Sequence, residues 1–126
     1  MNEKLSFLER EVIEAILKCQ KENPTCEQLF RQYEVALVKK RTFTGVGFYT
    51  EFIIDEGLGL ESNVQMQLGS VYAKIDGLKC GAGFVLFVEN GIITTLEGYS
   101  YDERWPNDAK VIELFMVKDD GSLIKI

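Results

Sequence analysis

Phe84-Val85-Leu86-Phe87-Val88-Glu89-Asn90-Gly91-Ile92-Ile93-Thr94-Thr95-Leu96-Glu97-Gly98 is the stretch that decides the fold class. Its first five residues are apolar at every position, the pattern of a central strand with apolar side chains on both faces. Asn90-Gly91 then supplies a two-residue turn of type I′, which needs positive φ at both central positions. Strands over 84–89 and 92–98 are therefore expected to be antiparallel neighbours at the heart of a sheet.

Working outward, period-2 patterns continue on both sides. Val46, Phe48, Phe52 and Ile54 alternate with Gly45, Gly47, Tyr49, Glu51 and Asp55, as in a strand covered on one face. Gly57-Leu58-Gly59 breaks that run. Val64 to Leu68 alternates weakly and Val71 to Ile75 more clearly. Downstream, Val111 to Val117, the turn Asp119-Asp120-Gly121 and Leu123 to Ile126 read as a second hairpin. Ser100 to Lys110 is left as the longest polar connection.

Before residue 38 the period is helical. Ser6-Phe7-Leu8-Glu9 has the spacing of a capping box. Leu5, Leu8, Val12, Ala15, Ile16 and Cys19 follow as one apolar stripe, with Glu9, Arg10, Glu14 and Lys18 read outside it. Asn23-Pro24 stops this helix, since proline disfavours helical geometry in the residue before it. Thr25-Cys26-Glu27-Gln28 offers a second capping box, and Leu29, Phe30, Tyr33 and Leu37 a second apolar face. The two segments read as a helical hairpin. Helices followed by a run of strands predict an α+β fold, with the hairpin packed on a curved antiparallel β-sheet; a cystatin-like arrangement fits this order. No linker divides the chain, so residues 1–126 are read as a single domain.

Composition narrows the function classes. The chain of 126 residues is 46% hydrophobic and carries a formal net charge of −6. That charge argues against nucleic acid and anionic membranes as partners, because both are bound by clustered Lys and Arg. The only basic run is Lys39-Lys40-Arg41. No apolar run reaches bilayer length, so neither a signal peptide nor an anchor is expected. The absence of histidine removes His-dependent dyads and triads. Cys19, Cys26 and Cys80 lack CxxC spacing and are read as reduced thiols, which points to the cytoplasm. No metal or cofactor is called for.

Two constellations stand out. Gly45-Val46-Gly47-Phe48 and Gly81-Ala82-Gly83-Phe84 both read Gly-x-Gly-Phe at a strand start. If these strands pair, four glycines make a shallow depression beside Phe48 and Phe84. Such a depression is either a ligand site, with Tyr49 or Glu97 as its polar groups, or room for helix packing and sheet curvature. Neither copy completes a phosphate loop. The second constellation runs from Leu96 to Asp108. Glu97, Tyr99, Tyr101, Asp102, Glu103, Trp105 and Asp108 combine aromatic anchors with carboxylates, a pairing suited to a basic protein surface. The bland alternative folds Trp105-Pro106 back as a lid on the sheet end and leaves the acids solvated. Paired carboxylates such as Glu97 and Asp102 have no spacing that implies acid–base catalysis, and Cys80 reads first as a buried structural thiol.

The segments from Arg41 to Thr50, from Gly81 to Phe84 and from Leu96-Glu97-Gly98-Tyr99 to Trp105-Pro106 resemble a family of small bacterial proteins of unassigned function. That resemblance implies no reaction and no catalytic residues. In size, acidity and class the chain is also similar to immunity proteins, which neutralise a toxin by covering its basic surface. The reading that follows is a non-catalytic protein-binding module of immunity type, with a basic partner such as a toxin domain. A small-ligand protein or enzyme with a pocket over the Gly-x-Gly-Phe strands is the rival. A homo-oligomer paired through a sheet edge is the third reading.

Overall fold

The computed structural model describes residues 3–20 and 23–126. Two helices, α1 (Phe7–Lys18) and α2 (Cys26–Glu34), precede seven strands. These are β1 (Leu37–Phe43), β2 (Gly47–Ile53), β3 (Met66–Ile75), β4 (Ala82–Glu89), β5 (Ile92–Ser100), β6 (Val111–Val117) and β7 (Leu123–Lys125). They form one antiparallel open sheet in the order β1-β2-β5-β4-β3-β6-β7. The expected α+β class is what the chain adopts, and the all-apolar strand β4 lies at the sheet's centre. Asn90 (φ 53°) and Gly91 (φ 79°) turn the β4–β5 hairpin with the positive φ angles that a type I′ turn requires. The two alternating runs between Val64 and Ile75 belong to a single strand, β3, whose register against β4 shifts between Leu68 and Val71. That irregularity interrupts the alternation and makes one strand look like two.

The Ser6 box caps α1 as its spacing predicts: the Glu9 amide donates to Ser6 Oγ (3.2 Å) and the Ser6 amide to Glu9 Oε1 (2.7 Å). Glu9 departs from the expected solvent-facing role, being only 2% exposed. Arg41 and Thr50 on the sheet reach it, so burial of the carboxylate is compensated by a cation and by hydrogen bonds. Ile13 and Leu17 are buried as well, so α1 buries a wider band than the expected stripe. Thr25 makes no side-chain cap on α2 and instead hydrogen-bonds Asn23 Oδ1. Helix α2 ends at Glu34, three residues before Leu37, which opens β1 rather than closing the helical face.

Register assigns the two faces of the sheet. Phe48, Gly98, Phe84 and Val71 follow one another across β2, β5, β4 and β3, as do Thr50, Leu96, Leu86 and Leu68. These residues lie under the helices with Val12, Ile16 and Leu29 and make the core. Gln32 of α2, fully buried, ties that helix to the central hairpin. Its Nε2 donates to the carbonyls of Leu58 (3.1 Å) and Gly91 (3.0 Å), and its Oε1 accepts from the Ile93 amide (2.9 Å).

Candidate binding surfaces

Among the described residues the opposite face of the sheet carries no helix. Alternation places Tyr99, Gly83, Tyr72 and Phe115 in one row across β5, β4, β3 and β6, with Tyr49, Glu97 and Val85 in the next row. Tyr99 and Tyr101 meet edge to face at 5.9 Å between ring centroids, Tyr72 lies 6.5 Å from Tyr101, and Phe115 lies 6.0 Å from Tyr72. Lys74 sits over the Phe115 ring at 5.7 Å while Glu113 holds its ammonium at 3.7 Å. Tyr49 donates from its hydroxyl to Glu97 (3.0 Å), and that hydrogen bond followed by the Glu97 charge raises the tyrosine's pKa. The apolar character of both faces of β4 thus has two origins. One face is core; the other, Val85 and Phe87, is half-buried in an aromatic surface that no described helix covers.

The segment from Glu97 to Asp108 divides between this face and the sheet end. Glu97, Tyr99 and Tyr101 belong to the open face, and Asp102, next in the chain, is exposed with φ 61°. Glu103 does a different job. Its carboxylate accepts from the amides of Cys80 and Lys79 (2.8 Å each), which hold its pKa below the usual carboxylate range and tie the loop to the turn before β4. Trp105 is 8% exposed and packs on Phe48 (5.4 Å) and Phe84 (6.5 Å), so it is the lid of the bland alternative and offers no free anchor. Its amide donates to Gly45 O (2.8 Å), which closes the loop over the sheet end. Asp108 is exposed and pairs with Lys110 at 3.5 Å.

Beside Trp105 a groove of about 670 Å³ opens between the start of α1, the ends of β1 and β2, and residues 105–111. Phe48 and Trp105 line it, together with Phe7 (79% exposed) and Phe43 (68% exposed). The Glu9–Arg41 ion pair (2.9 Å) forms one wall. Burial pushes the Glu9 carboxyl up, but hydrogen bonds from Arg41, Thr50 and the Ser6 amide, with the Arg41 charge, outweigh it and hold the group below its ordinary value.

Set against models of protein families, curated proteins and solved structures, the chain matches none.

The four-glycine depression does not form. β5 lies between β2 and β4, so the two Gly-x-Gly-Phe strands are not neighbours. A side chain at Gly83 would fall inside the Tyr99 ring and one at Gly81 would meet the Tyr72 hydroxyl, so tyrosines fill the space that the glycines leave. Cys80, expected inside, is exposed; Cys19 and Cys26 are partly buried, and burial raises both their pKa values. Tyr72, Phe115, Phe7 and Phe43 were not singled out by sequence. The alternation of Tyr72 with buried Val71 and Ala73 is the signal that places it on the open face. Among the described residues no helix is long and apolar enough to cross a membrane.

Proposed function

We propose that this chain is a non-catalytic protein-binding module that takes a basic protein partner on the open face of its sheet. The observation that carries the reading is the aromatic surface of Tyr49 and Tyr101, which are exposed, with the half-buried Tyr72, Tyr99 and Phe115. No described helix covers this surface, which has Glu97 in its next row and Asp102 after Tyr101 in sequence. Tyrosine provides a large contact area with few torsions to immobilise, and contiguous exposed aromatic patches mark interaction sites. The net charge of −6 steers a basic partner toward the chain and suppresses acidic ones. A toxin domain neutralised in the manner of immunity proteins is the partner that this chemistry suits, and the cytoplasm is the compartment where such a protein acts.

The test is capture of partners from the native cells on the tagged chain at low and high salt, with mass spectrometry of the retained proteins. A stoichiometric basic protein, released as salt rises and lost with Tyr99→Ala or with the pair Glu97→Lys and Asp102→Lys, is the expected result. Retention unaffected by these substitutions would show that the open face is not the interface. The substitution Glu103→Lys is avoided because it would free the turn at Lys79 and Cys80.

A further inference from the structure

The groove beside α1 is separate from the open face, since it lies on the helix-bearing side of the sheet and shares none of the tyrosine residues. Its volume is that of sites for drug-sized molecules. Phe7 and Phe43 are large apolar side chains left 79% and 68% exposed on the lining of one concavity, whereas scattered single exposures would need no explanation. Trp105 and Phe48 give the same concavity an aromatic floor held rigid by packing on Phe84.

The polar groups decide the charge of the occupant. Arg41 is held by two acids: Nε and Nη2 donate to Glu9 (2.9 Å each), and Nη1 to Glu3 (2.7 Å). Glu9 in turn accepts from Ser6, Arg41 and Thr50. The positive end of α1 is answered by that same carboxylate. An anion therefore finds the groove's guanidinium already paired with two carboxylates. Lys110 is opposed by Asp108, while Glu11, half-buried on the lining, forms no ion pair with any described residue. The charge left over in the groove is negative.

We infer that this groove is a binding site for a small organic cation with an apolar, aromatic-sized body, flanked by Phe7 and Phe43 above a floor of Trp105 and balanced by Glu11. The apolar rings contribute by losing water, and their faces also attract the cation through the ring quadrupole. The inference does not depend on the protein partner of the open face, because its test needs only the purified chain.

Trp105 is the single tryptophan of the chain, so its fluorescence and its indole N–H resonance report the groove without labelling. The experiment titrates 4-phenylbutylamine and 4-phenylbutanoate, which share a body and differ in charge. The amine is expected to shift the Trp105 signals saturably and to bind several-fold tighter than the anion. Phe43→Ser, at an exposed position that leaves the core intact, is expected to weaken the amine about tenfold. Glu11→Gln is expected to weaken it about threefold and to tighten the anion by a similar factor. Equal or tighter binding of the anion overturns the charge assignment. Binding undiminished in Phe43→Ser overturns the location. Failure of the amine at millimolar concentration, or binding only of an amphipathic Lys/Leu peptide, overturns the small-ligand site and, in the second case, hands the groove to a polypeptide.

Discussion

Replacing Gln32 by leucine removes the latch between α2 and the central hairpin while keeping the side chain's approximate volume. Of the three backbone groups it serves, Gly91 O keeps a second donor in the Leu60 amide (2.9 Å). Leu58 is half-buried, and its carbonyl loses the Gln32 donor. The Ile93 amide is buried and has Gln32 Oε1 as its side-chain acceptor, so it is the group left orphaned. An unsatisfied buried donor costs about 1–3 kcal/mol, and the lost bonds to the carbonyls bring the expected destabilisation to about 2–4 kcal/mol. With a urea slope of about 2 kcal/mol/M, the midpoint of unfolding followed by Trp105 fluorescence falls by about 1–2 M. Gln32→Glu sharpens the test, because a carboxylate oxygen then faces two carbonyls. Its folded-state pKa is raised, so the stability of Gln32→Glu relative to Gln32→Leu is highest below the unfolded carboxyl pKa and is lost as pH rises through the folded value. A Gln32→Leu stability within about 0.5 kcal/mol of wild type, or a Gln32→Glu difference flat from pH 4 to pH 7, would refute the latch.

Two further perturbations test the parts that hold the surfaces. The Glu9 carboxyl is held below its ordinary pKa, so its contribution is present above the unfolded value near 4.5 and lost as pH falls through the folded value. Urea midpoints should therefore show Glu9→Gln less stable than wild type by about 2–4 kcal/mol at pH 7, a gap that narrows in acid; a gap that widens there would contradict the ion-pair assignment. Gly83→Val should displace the Tyr99 ring and cost about 1–3 kcal/mol, visible by near-ultraviolet circular dichroism, and Tyr99→Ala in the same chain should recover part of the loss. An additive double mutant would show that Gly83 does not exist to seat Tyr99.

Much of this architecture is local and was readable as such. The Ser6–Glu9 box, the Asn90-Gly91 turn, the double apolarity of β4 and the β6–β7 hairpin each depend on residues within a few positions of one another, and each stands where its pattern places it. The helical reading of Leu37 failed because spacing alone does not distinguish the last turn of an amphipathic helix from the first residue of a strand. The boundary is settled by pairing with β2, which a helical wheel does not contain.

What the sequence by itself determined was the class: two amphipathic helices, antiparallel hairpins, and an acidic chain without histidine. Strand order, and with it both candidate surfaces, was decided by tertiary structure. β5 separates the two Gly-x-Gly-Phe strands and β3 pairs with β6, contacts between distant segments for which local periodicity carries no information. Glu9 is charged and sits at a helix start, features of a solvated residue; its burial follows from Arg41, 32 positions away. Trp105 looked like an anchor and became the floor of a groove, because Phe48 and Phe84 reach the same sheet end from different strands. A side chain's type limits what it does, but exposure and company are properties of the folded chain, and function is built from those.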